Sequence, residues 1–201
     1  DKDSAQEIIL KAMENGTTIK EIYLHVFQIT QRETGRLWQT GEITVAHEHF
    51  ITAATQTIMS RLYPYLFSGS KKGKKIIVAC TAGEMHEMGA RMVADIFELN
   101  GWNSFYFGSN TPKHSLIDSI KMHRPDIIAL SVTMVYHISE MTEVIDILKK
   151  DPLTDDIKII AGGYPFLLVE DLWQKVGADG SAVDAVSAVE LAENLTSGAV
   201  N

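Results

Sequence analysis

Apolar residues in the first third of the chain recur at helical spacing. Ala5, Ile8, Ile9 and Ala12 share one face, and Gly16 ends that run. Thr18 opens a second run through Ile19, Ile22, Leu24, Val26, Phe27, Ile29 and Leu37, interrupted at Gly41. A third run places Ile43, Ala46, Phe50, Ala53, Ala54, Thr57 and Leu62 on one stripe. The composition of Ser68-Gly69-Ser70-Lys71-Lys72-Gly73 then predicts a flexible linker. Beyond it the period changes. Short apolar runs at Ile76–Cys80, Ser104–Phe107, Ile127–Val132 and Ile157–Ala161 alternate with helical stretches near 86–100, 113–123, 136–150 and 165–176. Uninterrupted apolar runs suit strands of a parallel sheet covered on both faces. Ala178-Asp179-Gly180 leads into a short fifth strand, and a last helix follows near 184–196. The pattern predicts an α + α/β chain. An N-terminal helical bundle occupies residues 1–70, and a Rossmann-like, doubly wound, parallel five-stranded sheet occupies 71–201. In such sheets ligands bind beyond the carboxyl ends of the strands.

Composition narrows the function. Of 201 residues 45% are hydrophobic, enough for a packed core. A net charge of −8 argues against a nucleic-acid contact within this chain, because phosphate binding needs clustered cations. The one basic cluster, Lys71-Lys72-Gly73-Lys74-Lys75, reads as solvated linker. The single cysteine, Cys80, excludes an intrachain disulfide and reads as a small buried strand-end residue. No apolar stretch is long enough to span a membrane, so the chain is expected to be soluble and cytoplasmic, with no membrane partner. It opens Asp1-Lys2-Asp3 without a methionine, as an excised module would.

Candidate chemistry gathers in three loops at strand ends. The first carries Glu84, His86 and Gly89, the second Ser131-Val132-Thr133, the third Gly162-Gly163. Taken singly, each has an ordinary role: a solvated histidine, a helix cap, a tight turn. Their placement on one edge of one sheet points to a shared site. In the helical half, Val45, Glu48, His49 and Thr52 fall on one flank of the third run, beside a core stripe of Ala46, Phe50, Ala53 and Thr57. A flank beside a core stripe suits the lining of a cavity. By themselves Glu48 and His49 read as surface residues and Trp38 as core. His47 projects from the other side of the stripe.

The pattern Glu84-x-His86-x-x-Gly89, with Ser131-x-Thr133 and Gly162-Gly163, resembles the cobalamin-binding domain of corrinoid methyltransferases, mutases and sensors. The resemblance implies that His86 is the lower axial cobalt ligand, with Glu84 as its carboxylate partner. It implies that Ser131, Thr133, Gly162 and Gly163 line a slot for the nucleotide tail. Neutral imidazole is a good ligand for such a metal. The usual motif has Asp where this chain has Glu84. That departure, together with Trp38-x9-Glu48-His49, resembles the CarH-type (LitR-like) light-sensing cobalamin proteins. This finer resemblance implies that Trp38, Val45, Glu48 and His49 surround the upper ligand under a helical cap.

The cofactor so implied is cobalamin, with adenosylcobalamin foremost and methylcobalamin or hydroxocobalamin as alternatives. The function implied is a sensory module rather than an enzyme, in which light-driven Co–C cleavage changes conformation or assembly. A second copy of the chain, a downstream signalling domain or another protein would be its partner. The alternative is a corrinoid carrier in a methyltransferase system; recruitment for another tetrapyrrole fits less well with His86. Two departures stand out. The residue after Trp38 is Gln39, where light-sensing relatives often carry a cobalt-ligating histidine. The DNA-binding helical domain common in that family has no counterpart in these residues.

Overall fold

The computed structural model describes residues 1–66 and 70–197. The chain divides into two compact units, Asp1–Ser68 and Gly69–Asn201.

The first unit is helical throughout. Helix α1, Lys2–Glu14, is capped by the Asp1 carboxylate and ends before Gly16, whose φ of +92° only glycine adopts freely. Thr18 starts the next helix through a reciprocal capping box with Glu21. That helix is continuous but irregular: α2, Ile19–Ile22, passes through a π-helical turn at Tyr23–Phe27 into α3, Gln28–Gln39. Gly41, at φ +75°, closes α3 with a backbone bond to Trp38. Helix α4, Val45–Leu62, is capped by Thr44 and by the ring of His47, which accepts from the Thr44 N–H. His47, the weakest of the candidates, thus has a capping role.

One expectation fails here. The buried stripe of α4 is Thr55, Ile58, Met59 and Leu62; Phe50, Ala46 and Ala53 are exposed. Apolar residues occupy two adjacent faces of α4, and periodicity cannot say which one meets a neighbour. Helix α4 meets α3, whose Gln31 bonds Thr55 and Thr52, and the face carrying Thr55 is the buried one.

The second unit holds an all-parallel sheet of five strands: β1 Lys75–Cys80, β2 Asn103–Gly108, β3 Ile127–Ser131, β4 Lys158–Gly162 and β5 Gly180–Ser181. The strand order is β2-β1-β3-β4-β5. Helices α5 (Met88–Leu99), α6 (Lys113–His123), α7 (Ile138–Lys150) and α10 (Ala185–Ser197) supply the covering layers. The order reverses between β1 and β3, which is the switch point where such sheets bind ligands. Register places Cys80 beside Ser131 and Ser131 beside Gly162, so three strand ends line up in one row. The single helix expected over 165–176 is instead two short ones, α8 (Tyr164–Leu168) and α9 (Leu172–Lys175). Val169 takes extended angles between them, and Leu167, Leu168 and Val169 are exposed, so no helical stripe holds the segment together. Among the described residues no helix is long and apolar enough to cross a membrane.

The expected linker lies partly outside the described residues, at Ser68 and Gly69. Its described part, Ser70–Gly73, is pinned rather than free. Lys71 pairs with Glu98, and Lys72 and Lys74 pair with Glu193 at 2.8 and 2.9 Å. Glu193 also accepts from the indole of Trp102 at 2.8 Å, and the Trp102 side chain is fully buried. Burial alone would raise the Glu193 carboxyl, but the bonds from Lys72, Lys74 and Trp102 bring it down to about 2. Glu193→Ala would strand the buried indole N–H. We expect it to lower unfolding free energy by ~1–3 kcal/mol in urea denaturation. In a Trp102→Phe background, which has no indole N–H to strand, the same Glu193→Ala substitution should cost clearly less.

Candidate functional site

The loop after β1 is built around one carboxylate. Glu84 is fully buried. Its Oε1 accepts from the His86 backbone N–H at 2.9 Å and from His86 Nδ1 at 2.5 Å. Its Oε2 accepts from the backbone N–H groups of Thr133 and Met134, at 2.7 and 3.0 Å, and from His137 Nδ1 at 3.1 Å. Glu84 therefore ties the loop after β1 to the loop after β3, across the switch point of the sheet. Burial would raise its pKa, but the bonds from Met134, His86 and Thr133 and from the His137 ring overcome that and lower it to about 2. An ionised carboxylate only accepts. Both histidines must therefore carry their proton on Nδ1, which leaves Nε2 of each with a free lone pair in the neutral ring. The His86 side chain is half exposed, so that nitrogen is available to a ligand.

Further contacts fix the loop. Asn110, in the left-handed region at φ +48°, accepts from the Gly83 N–H through its side chain and donates its own N–H to the Glu84 carbonyl, both at 2.8 Å. Gly83 itself sits at φ +83°. The Glu87 carboxylate, just before α5, takes bonds from the Tyr106 hydroxyl and the Ser109 N–H. Sequence reasoning did not single out Asn110 or His137. Asn110 had a signal, since Gly108-Ser109-Asn110-Thr111-Pro112 is turn chemistry and asparagine tolerates positive φ. His137 had none.

The other candidates on the sheet edge separate by what their surroundings demand. Thr133 contributes its backbone N–H to Glu84. Ser131 ends β3 between Cys80 and Gly162. A Cβ at Gly162 or at Gly89 would meet nothing within 4 Å. At Gly163, with φ +105°, it would sit 1.8 Å from the Val132 carbonyl oxygen. Gly163 is thus required by the fold itself, whereas Gly162 opens onto free space.

In the helical unit, Trp38 stands 45% exposed on α3 and is not a core residue. Glu48 accepts from the Thr52 hydroxyl at 2.8 Å and pairs with His49 Nδ1 at 2.5 Å. Gln31 of α3 donates to Thr55 at 3.0 Å and lies 3.0 Å from the Thr52 hydroxyl, so this polar group bridges α3 and α4. Val45, at the start of α4, is exposed. These four candidates share one unit; His86 and the glycine pair belong to the other.

The depressed Glu84 pKa has a testable sign. Its stabilising contribution is complete above pH 4.5 and is lost as pH falls toward 2. Glu84→Gln keeps the shape but turns one acceptor into an NH2 facing other donors. We expect a loss of ~1–3 kcal/mol at pH 7, narrowing as pH falls toward 2, in urea denaturation followed across pH. A gap that stays constant with pH would contradict the assigned charge.

Comparison with known proteins places this geometry in context. Residues 74–190 match a family described as B12 binding domain, and residues 1–63 match a second family of the same description. Trimethylamine corrinoid protein 1 of Methanosarcina acetivorans is 25% identical over 195 residues, covering 94% of this chain and 89% of that protein. Among solved structures, a novel cobalamin-binding protein from Desulfitobacterium hafniense DCB-2 is 27% identical, with a TM-score of 0.58 and coverage of 97% and 92%. The monomethylamine corrinoid protein of Methanosarcina barkeri shares the fold at a TM-score of 0.82 and 21% identity, covering 94% and 90%. The light-sensing branch suggested by Trp38-x9-Glu48-His49 gains no support from these relatives; the broader cobalamin-binding group does. With more than half its length, including the loops tied by Glu84, inside the matched region, the chain belongs to the B12 binding domain family.

Proposed function

We propose that this chain is a corrinoid carrier: it holds cobalamin and presents it to partner enzymes for methyl transfer, without catalysing the transfer alone. The observation that carries the reading is the Glu84-fixed imidazole of His86 at the switch point of a B12 binding domain. The donor set fits the group. His86 offers one neutral nitrogen, which suits a metal that brings its equatorial ligands with it. Gly162 leaves space that a Cβ would fill, beside Ser131 in register, where a nucleotide tail could lie along the strand ends. When bound, the cobalt supplies the position at which a methyl group is held and passed on.

The protein's part is positioning. His86 would hold the cobalt through its Nε2, oriented by Glu84. Ser131, Thr133, Gly162 and Gly163 bound the tail slot, with Gly89 leaving room at the first turn of α5. The helical unit offers its own candidates for corrinoid contact in Trp38, Val45, Glu48 and His49. Relatives named as corrinoid proteins match nearly the whole chain, the helical unit included, and this favours a carrier over a sensor.

A second reading keeps one observation in its favour. The Glu48–His49 pair on α4 and the exposed Trp38 on α3 are the polar and aromatic side-chain types suited to an adenosyl group, as in a light-sensing module. The two readings differ in solution. A carrier binds methylcobalamin and hydroxocobalamin about as well as adenosylcobalamin, and green light leaves its size unchanged. A sensor prefers adenosylcobalamin tenfold or more and changes size on illumination. We expect the first result by isothermal titration and by gel filtration in the dark and after illumination; the second would overturn the carrier.

Two variants test the site. His86→Ala should convert the bound cofactor to a spectrum lacking imidazole ligation; an unchanged spectrum would remove His86 from the site. Gly162→Val should abolish cobalamin binding while the unfolding midpoint stays near that of the parent, because the added side chain enters free space.

A further inference from the structure

Methyl transfer gives the polar group of the helical unit no adenosyl group to meet. Glu48 lies in the first turn of α4 with its side chain 25% exposed. Its carboxylate is held at both oxygens. Oε1 lies 2.8 Å from the Thr52 hydroxyl, and Oε2 lies 2.5 Å from His49 Nδ1. Thr52 is also 3.0 Å from Oε1 of Gln31 on α3, so its single proton faces two acceptors. A half-turn of the Gln31 amide resolves this: its NH2 then points at Thr52 and frees the hydroxyl proton for Glu48. Thr55, 3.0 Å from the other end of the amide, then turns its own proton from the Ile51 carbonyl to Gln31. The result is a chain of donors that runs across the α3–α4 contact and ends on the Glu48 carboxylate.

A carboxylate has about four acceptor positions. At Glu84 they are all taken. At Glu48 the described residues supply two donors, so an anchored and partly exposed carboxylate keeps capacity for a ligand. A fixed acceptor of this kind selects a group that carries N–H or O–H. The helical unit matches a B12 binding family in its own right over residues 1–63. A methyl group on cobalt has no such donor. The rim of the corrin ring carries primary carboxamides in every form of cobalamin.

We propose that Glu48 is the subsite for one side-chain carboxamide of the corrinoid, a reading that rests on cobalamin being the ligand. The amide N–H donates to the carboxylate in a charge-assisted bond. An acid in the place of that amide would meet a like charge instead. A contact with the rim of the ring does not depend on what occupies the upper position of cobalt. It therefore suits a carrier, whose upper position changes as methyl groups come and go. A bond to an adenosyl hydroxyl, by contrast, would favour adenosylcobalamin alone.

The experiment uses the full chain and two kinds of probe. One is methylcobalamin; the other is methylcobalamin with a single side-chain carboxamide hydrolysed to the acid, each positional isomer taken separately. Affinities are measured by isothermal titration in the dark at neutral pH. We expect the parent to bind one isomer ~10-fold or more weakly than the others, because its carboxylate faces Glu48. Glu48→Gln keeps the shape and offers an NH2, so it should bring that isomer level with the rest. Glu48→Ala should also close the gap. A purely structural Glu48 would lower every affinity alike and leave the ranking of isomers unchanged. The proposal is overturned if no isomer stands apart in the parent, if the gap persists in both variants, or if both variants lose all binding. A loss in Glu48→Gln confined to adenosylcobalamin, titrated alongside, would assign the carboxylate to the upper ligand and overturn it too. Failure of the parent to bind methylcobalamin would remove the cobalamin reading itself, whereas a parent that binds every isomer equally removes this subsite alone.

Discussion

One buried negative charge organises this protein's candidate site. Glu84 sits where two loops of the sheet meet, at full burial, and a carboxylate there is tolerable only when its lone pairs are occupied. Five donors from two stretches of chain occupy them. The requirement runs outward from that point. The loop after β3 must turn its amides inward, Gly83 must take positive φ, Asn110 must brace the loop, and His86 must hold a single tautomer. A site built in this way is stiff, because moving any one donor leaves a charge uncompensated.

The sheet makes the meeting possible. Parallel strands in the order β2-β1-β3-β4-β5 place β1 and β3 side by side while their following helices depart to opposite faces. The gap between those departures receives both loops. Register then sets Cys80, Ser131 and Gly162 in a row, so a ligand reaching past His86 along the strand ends meets small side chains rather than bulk.

Much of this architecture could be read from the residues. The strands announced themselves as unbroken apolar runs, because both faces of the sheet are covered. Glu84 and His86 were legible through their spacing, and Thr133 through its place after a strand, although its contribution is its backbone and not its hydroxyl. Other features left no trace. Which face of α4 is buried depends on where α3 meets it, so two equally apolar stripes could not be told apart. The basic stretch after Ser70 looked solvated because its partners, Glu98 and Glu193, lie far along the chain. His137 reaches Glu84 only because β3 folds beside β1, a long-range fact that local pattern does not hold. The choice between carrier and sensor turns on the helical half, where a short motif resembled one branch and the matches along the chain favour the other.

The two adjacent glycines at the end of β4 divide the labour between shape and chemistry. At Gly163 the neighbouring carbonyl of Val132 leaves no volume for any side chain, whereas Gly162 faces open space. In a saturation library, substitutions at the former should therefore remove the protein from the soluble pool, and those at the latter should leave abundant but colourless protein. Abundance and colour, scored separately on the same library, would draw the boundary between scaffold and binding surface one residue at a time.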